Sequence, residues 1–221
     1  NIVQRGEVRA DGQDGVGALF DFGTNANLRS DENDEYRGSW MRTIGGKNVV
    51  LPDELKGALI NNYDLTGTIS GKSAAIRMSN NAWVQNIHVM QGAHIEGDIV
   101  SAYDKFHPMD GSRMTTRLSF GQLADAQGQA TTAADPNFQM RYDGNIRGVT
   151  GFDVVMAGGR TSLNGSHELH SLQVQPGATL MGSSSYSIHP EGVFANNGTL
   201  RPGNSIGAMQ IAGNFAQGSS G

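Results

Sequence analysis

A candidate nucleophilic serine lies near the end of the chain, in the string PGNSIG at residues 202–207. Gly203, Ser205 and Gly207 give this string the form G-x-S-x-G, the turn that presents the catalytic serine of many esterases and lipases. That turn joins a strand to a helix, and it needs an acid and a histidine later in the chain. The residues after Ser205 alternate like a strand and contain no His, Asp or Glu. We therefore interpret these glycines as turn glycines and expect no catalytic residue here.

Metal-ligating residue types are present, but their spacing is poor for a shared ion. Cysteine is absent, which excludes thiolate sites and disulfides. His88 and His94 fall on neighbouring strand-like runs separated by a turn, whereas His167 and His170 are three apart and face opposite sides of a strand. The acidic run at 31–39 lacks the sixth-position glycine and the twelfth-position glutamate of a calcium loop. The sequence predicts a solvated acidic loop there, no metal site and no cofactor.

The composition favours an elongated, turn-rich protein over a compact enzyme. Of the 221 residues, 31 are glycine, whereas only 7% are aromatic and 17% are charged. The formal net charge of -5 and the lack of a basic patch argue against nucleic-acid binding. No apolar run approaches the roughly 20 residues that a membrane-spanning helix needs.

One turn-and-strand string recurs along the chain. VMQGAHIEG at 89–97 and VQPGATLMG at 174–182 share the pattern V-x-x-G-A-x-[IL]-x-G, and residues 193–203 repeat its second half. Leu180 and Leu200 lie 20 residues apart, as expected for equivalent positions on successive coils of a β-solenoid. Because one string recurs, we favour a solenoid over an antiparallel sandwich, whose strands are equally short. We predict an all-β fold, a right-handed parallel β-helix of roughly seven or eight coils stacked at about 4.8 Å.

Two segments, at 24–63 and 102–145, interrupt the alternating pattern and are predicted to be long loop excursions from the rod. The string LPDELKGALINN at 51–62 predicts one short helix within the first excursion. Trp40 and Trp83 are interpreted as packing or loop-anchoring residues.

The whole chain, residues 1–221, is predicted to be a single unit whose last coils occupy 170–221. We expect the chain to be a segment of a longer protein.

The closing string resembles an element of a known family. NGTLRPGNSIGAMQIAGNF is similar to the string that ends the β-helical passenger of autotransporters, the type V secretion proteins of Gram-negative bacteria. Residues 14–25, 51–62 and 70–101 resemble the β-helix that follows the protease domain in subtilisin-like autotransporters. The family implies a structural and folding role for the matching residues, which are Gly198, Leu200, Pro202, Gly203, Asn204, Ser205, Ile206, Gly207, Ile211, Gly213, Asn214 and Phe215.

The resemblance implies a non-catalytic stem at the bacterial cell surface, either anchored to the outer membrane or secreted. The implied partners are an N-terminal effector, most like a subtilisin-type serine protease, and a C-terminal outer-membrane β-barrel. No string of this chain matches the catalytic motifs of that protease family. The implied role is to support the effector and to couple folding of the C-terminal coils to secretion.

Two alternatives remain open at this point. An adhesin would use the excursions at 24–63 and 102–145 to bind a host surface or a sister cell. A β-helical polysaccharide lyase or hydrolase would need charged residues clustered on one face of successive coils, and no such register is visible in the sequence.

Overall fold

The computed structural model describes most of the chain, and within the described residues it is all-β, with 28 strands and no helix. The described ranges are 1–21, 34–36, 39–44, 46–51, 58–107, 110–203 and 207–219. A search of these ranges finds no helix that is long and apolar enough to cross a membrane.

The first sheet runs the length of the molecule and contains eight strands, each parallel to its neighbours. The strands are, in spatial order, β1 (Ile2–Gln4), β7 (Ile60–Leu65), β10 (Val84–Met90), β15 (Thr116–Ala124), β19 (Phe152–Met156), β22 (Ser171–Val174), β25 (Phe194–Asn196) and β28 (Phe215–Gln217). A ninth strand, β16 (Ala130–Ala134), folds back on β15 as an antiparallel hairpin.

A second face is made of two parallel sheets, of three and four strands. The three-stranded sheet contains β2 (Glu7–Ala10), β8 (Thr68–Gly71) and β11 (His94–Glu96). The four-stranded sheet contains β17 (Gln139–Tyr142), β20 (Arg160–Leu163), β23 (Thr179–Gly182) and β26 (Thr199–Pro202).

The third sheet is again parallel and has seven strands. They are β3 (Val16–Phe20), β9 (Ala74–Met78), β12 (Ile99–Ser101), β18 (Ile146–Arg147), β21 (Ser166–Leu169), β24 (Ser185–Ile188) and β27 (Gln210–Ala212). The chain visits the first sheet, the second face and the third sheet in that order seven times, and then re-enters the first sheet with β28. We call each visit to the three faces a coil, and this order is consistent with the predicted β-helix.

The core is a column of apolar side chains stacked coil upon coil. In the first sheet, the strand register places six buried side chains in one row, namely Tyr63, Ile87, Leu118, Val154, Leu172 and Phe194. Residues one position along the strands face outward, because side chains alternate along a strand. His88 and Asp64 are such neighbours and form a pair at 2.6 Å. Burial of each large apolar side chain contributes about 1.5–3 kcal/mol, and only a neighbouring coil can provide that burial.

The recurring string marks the corner between the first sheet and the second face. Gly92 and Gly177 both have positive φ at the turn, +95° and +82°, and Gly97 and Gly182 both have positive φ one strand later, +114° and +111°. Leu180 pairs directly with Leu200 across successive coils, as their spacing predicts. The prediction of a coil repeat is therefore confirmed at the level of residue register.

Alanine at Gly182 is expected to destabilise the fold by about 1–3 kcal/mol, because its backbone conformation disfavours any side chain. The new Cβ would also lie 2.0 Å from the carbonyl oxygen of Leu163 in the coil before it. Gly12→Ala is the matched control, since no atom lies within 4 Å of its Cβ position. Urea unfolding followed by circular dichroism measures both variants. Equal midpoints for the two would contradict the assigned coil contact.

The two predicted excursions pair with each other. They form a five-stranded sheet, separate from the three faces described above, made of β4 (Asp34–Tyr36), β5 (Ser39–Ile44), β6 (Lys47–Leu51), β13 (Lys105–Phe106) and β14 (Arg113–Met114). Phe106 pairs with Val49, and its ring centroid lies 4.5 Å from the ammonium of Lys47 and 4.5 Å from the guanidinium carbon of Arg113. Parallel pairing and cation–π contacts thus join the first excursion to the second.

The excursions are narrower than the sequence predicts. Strands β15 and β17 lie inside the segment 102–145, yet they belong to the first sheet and to the second face. Strand β7 begins inside 24–63 and belongs to the first sheet. The physical reason is burial, since Leu118 and Phe120 on β15 are completely enclosed by the neighbouring coils.

The helix predicted at 51–62 is wrong for its described residues. Leu51 ends β6, Ile60 begins β7, and residues 52–57 lie outside the described ranges. Leu59 and Ile60 belong to the apolar face of the predicted helix, but both pack on the apolar column, Leu59 just before β7 and Ile60 as its first residue.

The acidic loop predicted at 31–39 is also wrong in part, because Asp34–Tyr36 forms strand β4, which pairs with β5. Trp83 has its predicted anchoring role, since its ring nitrogen donates to the carbonyl of Thr115 at 3.1 Å. Trp40 lies on β5.

Candidate functional site

The family-like residues at 198–215 lie in the last coil and at the start of the next strand. Leu200 and Pro202 belong to β26, and Phe215 begins β28. Asn204, Ser205 and Ile206 lie outside the described residues. The prediction that Ser205 is a turn residue and not a nucleophile therefore stays a prediction.

The motif glycines lie where the chain approaches the preceding coil most closely. A Cβ on Gly198 would lie 2.4 Å from the carbonyl oxygen of Gln175, and one on Gly213 would lie 2.9 Å from the Cβ of Ile188. Gly203 has a φ of +82°, and its amide donates to the carbonyl of Gly182 at 2.8 Å. Only glycine allows these approaches without displacing backbone. A Cβ on Gly207 would lie 2.3 Å from the side-chain hydroxyl of Ser183 and 2.5 Å from the Cα of Gly203.

Asn214 clamps the turn of the coil beneath it. Its side-chain amide donates to the carbonyls of Pro190 and Gly192, both at 3.1 Å, and its backbone carbonyl accepts from the amide of Phe194 at 2.8 Å. Phe215 pairs with Phe194 in register, and their ring centroids lie 5.6 Å apart. Each described motif glycine, together with Leu200, Asn214 and Phe215, therefore contacts the preceding coil.

Replacing Asn214 by alanine is expected to lower the free energy of unfolding by about 1–2 kcal/mol, because two turn carbonyls lose their donor. Asn214→Asp keeps the shape but sets a carboxylate against the same two carbonyls, so we expect it to destabilise at least as much. Chemical denaturation of both variants checks the result. An aspartate variant as stable as the parent would show that the side-chain amide does not hold this turn.

A histidine pair occupies the corner where the third sheet leads back to the first. His170 follows β21 and His189 follows β24, and the register pairs Leu169 with Ile188, so the two histidines are equivalent on successive coils. Their ring centroids are 5.5 Å apart. His170, His189 and Glu191 each offer one ligand atom, and these atoms all lie within 4.8 Å of one another.

Asp153 fixes the orientation of His170. Its carboxylate lies 2.8 Å from Nδ1 of His170 and accepts hydrogen bonds from the hydroxyls of Ser171 and Thr115. Burial by itself raises the pKa of Asp153, but the hydrogen bonds from Ser171, Thr115 and His170 outweigh it and hold the pKa below its ordinary value. The carboxylate is therefore charged and available as an acceptor for the imidazole.

His167 lies inside the column, on the opposite side of β21 from His170. It is completely buried in a row of the third sheet between Ile146 and Tyr186, and its Nε2 has no hydrogen-bond partner among the described residues. Nδ1 accepts from the backbone amide of Ile146 at 3.3 Å. Burial lowers the pKa of His167 from 6.5 to about 4 and outweighs the charge of Asp98, which raises it. This histidine is a neutral core residue at pH 7.

The sequence correctly separated His167 from His170 but missed the pairing of His170 with His189. The available signal was their 19-residue spacing, which equals one coil in this part of the chain. His88 and His94 meet different carboxylates, those of Asp64 and Glu96.

Comparison of the chain with family models, curated proteins and solved structures finds no match.

Proposed function

We propose that this chain is the non-catalytic stem of an autotransporter passenger, built as a right-handed parallel β-helix. It holds an N-terminal effector, a subtilisin-like protease in our proposal, away from the bacterial outer membrane. Folding of its C-terminal coils helps to draw the passenger across that membrane. The implied partners are the effector and a C-terminal outer-membrane barrel.

The observation that carries the proposal is the contact pattern of the 198–215 string. Its glycines, Leu200, Asn214 and Phe215 each contact the coil before them. This contact pattern supports a role in packing one coil onto the next and does not suggest a catalytic role.

The C-terminal coils also close with little entropy cost. In the first sheet, 18, 22 and 21 residues separate Val154, Leu172, Phe194 and Phe215, whereas 61 separate Ile2 from Tyr63. Loop-closure cost grows slowly with length, so closing the first coil costs about 1 kcal/mol more than closing each C-terminal coil, which favours folding of the C-terminal coils before the first one. A folded coil outside the membrane then offers an edge for the next coil and opposes backward slippage of the chain.

The test is surface display in a Gram-negative host. The chain is expressed with a secretion signal before it and an autotransporter barrel after it, and display is measured by cell-surface antibody labelling. Deletion of 198–215 is expected to abolish display or to leave the displayed chain protease-sensitive. The matched control deletes residues 125–129 at the tip of the β15–β16 hairpin, where Gly128 lies beside the side chain of Arg5 but no strand pairing between coils is interrupted. Full, protease-resistant display after the 198–215 deletion would refute the proposed role.

A binding function is the second candidate, and the joint sheet of the two excursions favours it. Strands β4, β5, β6, β13 and β14 form a sheet of their own beside the stem, held by pairing and by the Lys47–Phe106 contact. An adhesin would carry its contact residues on such an element. Phe106→Ala should reduce adhesion to host surfaces or to sister cells without lowering surface display. If the chain is only a spacer, the same variant should leave adhesion unchanged.

A further inference from the structure

The corner that contains His170 and His189 has the geometry of an incomplete metal site. Three ligand atoms, one each from His170, His189 and Glu191, lie within 4.8 Å of one another. In a tetrahedral site with ligands about 2.0–2.2 Å from the ion, neighbouring ligands are about 3.4 Å apart. A shift of up to about 1.4 Å therefore closes the set, and the exposed side chain of Glu191 can contribute to it.

The ring nitrogens are arranged for coordination. Nδ1 of His170 is engaged with Asp153 at 2.8 Å, which leaves Nε2 as its ligand atom. A carboxylate hydrogen-bonded to the far nitrogen of a ligating histidine is the usual support of zinc sites. Nδ1 of His189 accepts from the amide of Glu191 at 3.1 Å, which leaves Nε2 as its ligand atom as well.

The charges around the corner favour a cation. Asp153 and Glu191 supply two carboxylates, and Asp153 accepts hydrogen bonds from the hydroxyls of Ser171 and Thr115. The nearest competing cation is Arg113, 3.9 Å from Glu191, but its guanidinium has a closer carboxylate partner in Asp104 at 2.5 Å. If Glu191 moves away to bind the ion, Arg113 therefore keeps its ion pair with Asp104.

We propose that His170, His189 and Glu191 bind one Zn²⁺, with Asp153 orienting His170 and water in the fourth position. Imidazole nitrogen and carboxylate oxygen suit zinc and its transition-metal neighbours, whereas calcium and magnesium prefer oxygen ligands alone. The ion joins the corners of two successive coils and acts as a clamp across them. Metal binding at such a clamp stabilises the folded chain against the unfolded one.

Calorimetric titration of the full chain with zinc chloride tests this site. We expect one ion per chain and a rise in the unfolding temperature on saturation, with no such response to calcium or magnesium. His189→Ala should weaken binding about 100-fold or more, and Asp153→Asn about 10–100-fold, as for outer-shell partners elsewhere. Glu191→Gln repeats the ligand test at an exposed position, where we expect little effect on folding.

The matched control is His94→Ala, which removes an exposed histidine paired with Glu96 on another face and should leave zinc affinity unchanged. In crystals soaked with zinc, anomalous density should lie about 2.0–2.1 Å from a ring nitrogen of both His170 and His189. Zinc affinity that is unaltered by His189→Ala and Glu191→Gln would overturn the proposal, as would the absence of any binding at micromolar zinc.

Discussion

Replacing Phe194 by alanine is expected to lower the free energy of unfolding by about 3–5 kcal/mol, the range for large aromatic side chains in closed cores. Phe194 is fully buried on β25. Its ring meets Tyr186 edge-on at 5.3 Å and lies 5.6 Å from the ring of Phe215. The variant therefore loses packing with the preceding coil, through Tyr186, and with the following strand β28, through Phe215. Guanidinium unfolding followed by tryptophan fluorescence and circular dichroism gives the change in stability.

Val193→Ala is the matched control, because its side chain is among the exposed apolar ones and lies one position away. We expect it to change stability by less than about 0.5 kcal/mol. In the display assay, the Phe194 variant should lose surface display while the Val193 variant keeps it. Normal display of a strongly destabilised Phe194 variant would separate folding of the last coils from export.

Acid should destabilise the fold through His167. Above pH 6.5 this residue is neutral in both the folded and the unfolded chain, so it adds no pH dependence there. As the pH falls from 6.5 to 4, the unfolded chain binds a proton that the folded chain excludes, because burial lowers the folded pKa to about 4. The loss reaches about 2 kcal/mol at pH 5 and about 3 kcal/mol at pH 4.

His167→Leu fills the same place in the row with an apolar side chain and should remove this loss. The measurement is the free energy of unfolding at pH 7 and pH 5 for both chains, with His94→Leu as an exposed control. We expect the parent and the control to lose about 2 kcal/mol more than the His167 variant between the two pH values. Equal losses in all three chains would show that His167 is not the acid-sensitive group.

The stacking of coils could be predicted from sequence because it depends on a repeated local pattern. A strand end, a glycine turn and a strand start recur at 89–97 and 174–182, and their glycines have nearly the same φ values in the two places. The pairing of Leu180 with Leu200 could be predicted from their spacing of 20 residues alone. Positions without room for a side chain require glycine, and positions inside the column require an apolar residue, so both kinds of position can be recognised in the sequence.

The excursions could not be predicted well, because their pairing is not local. Phe106 pairs with Val49, which lies more than fifty residues earlier in the sequence. No pattern in either strand indicates which strand it pairs with. Strand β15 falls inside the predicted excursion at 102–145, although Leu118 and Phe120 at its centre are buried. The helix predicted at 51–62 is wrong because Leu59 and Ile60, on its predicted apolar face, lie just before and at the start of β7 and pack on the column.

The histidine corner was missed for a related reason. From the sequence, His167 was compared with His170, and these two lie close together on the same coil. In a stack of coils, side chains that can share a ligand come from equivalent positions one coil apart in the sequence. His170 and His189 satisfy that condition, and their carboxylate partners arrive from β19 and from the turn after β24. Once the coil length is known, such vertical pairs can be searched for directly.

The most direct test of the central claim is the order in which the coils fold. Pulsed hydrogen exchange with mass spectrometry, applied while the denatured chain refolds, measures when each strand gains protection. If the C-terminal coils are the template, amides of β22, β23 and β24 become protected before those of β7, β8 and β9. Protection of β7, β8 and β9 first, or of all coils in one phase, would contradict the account.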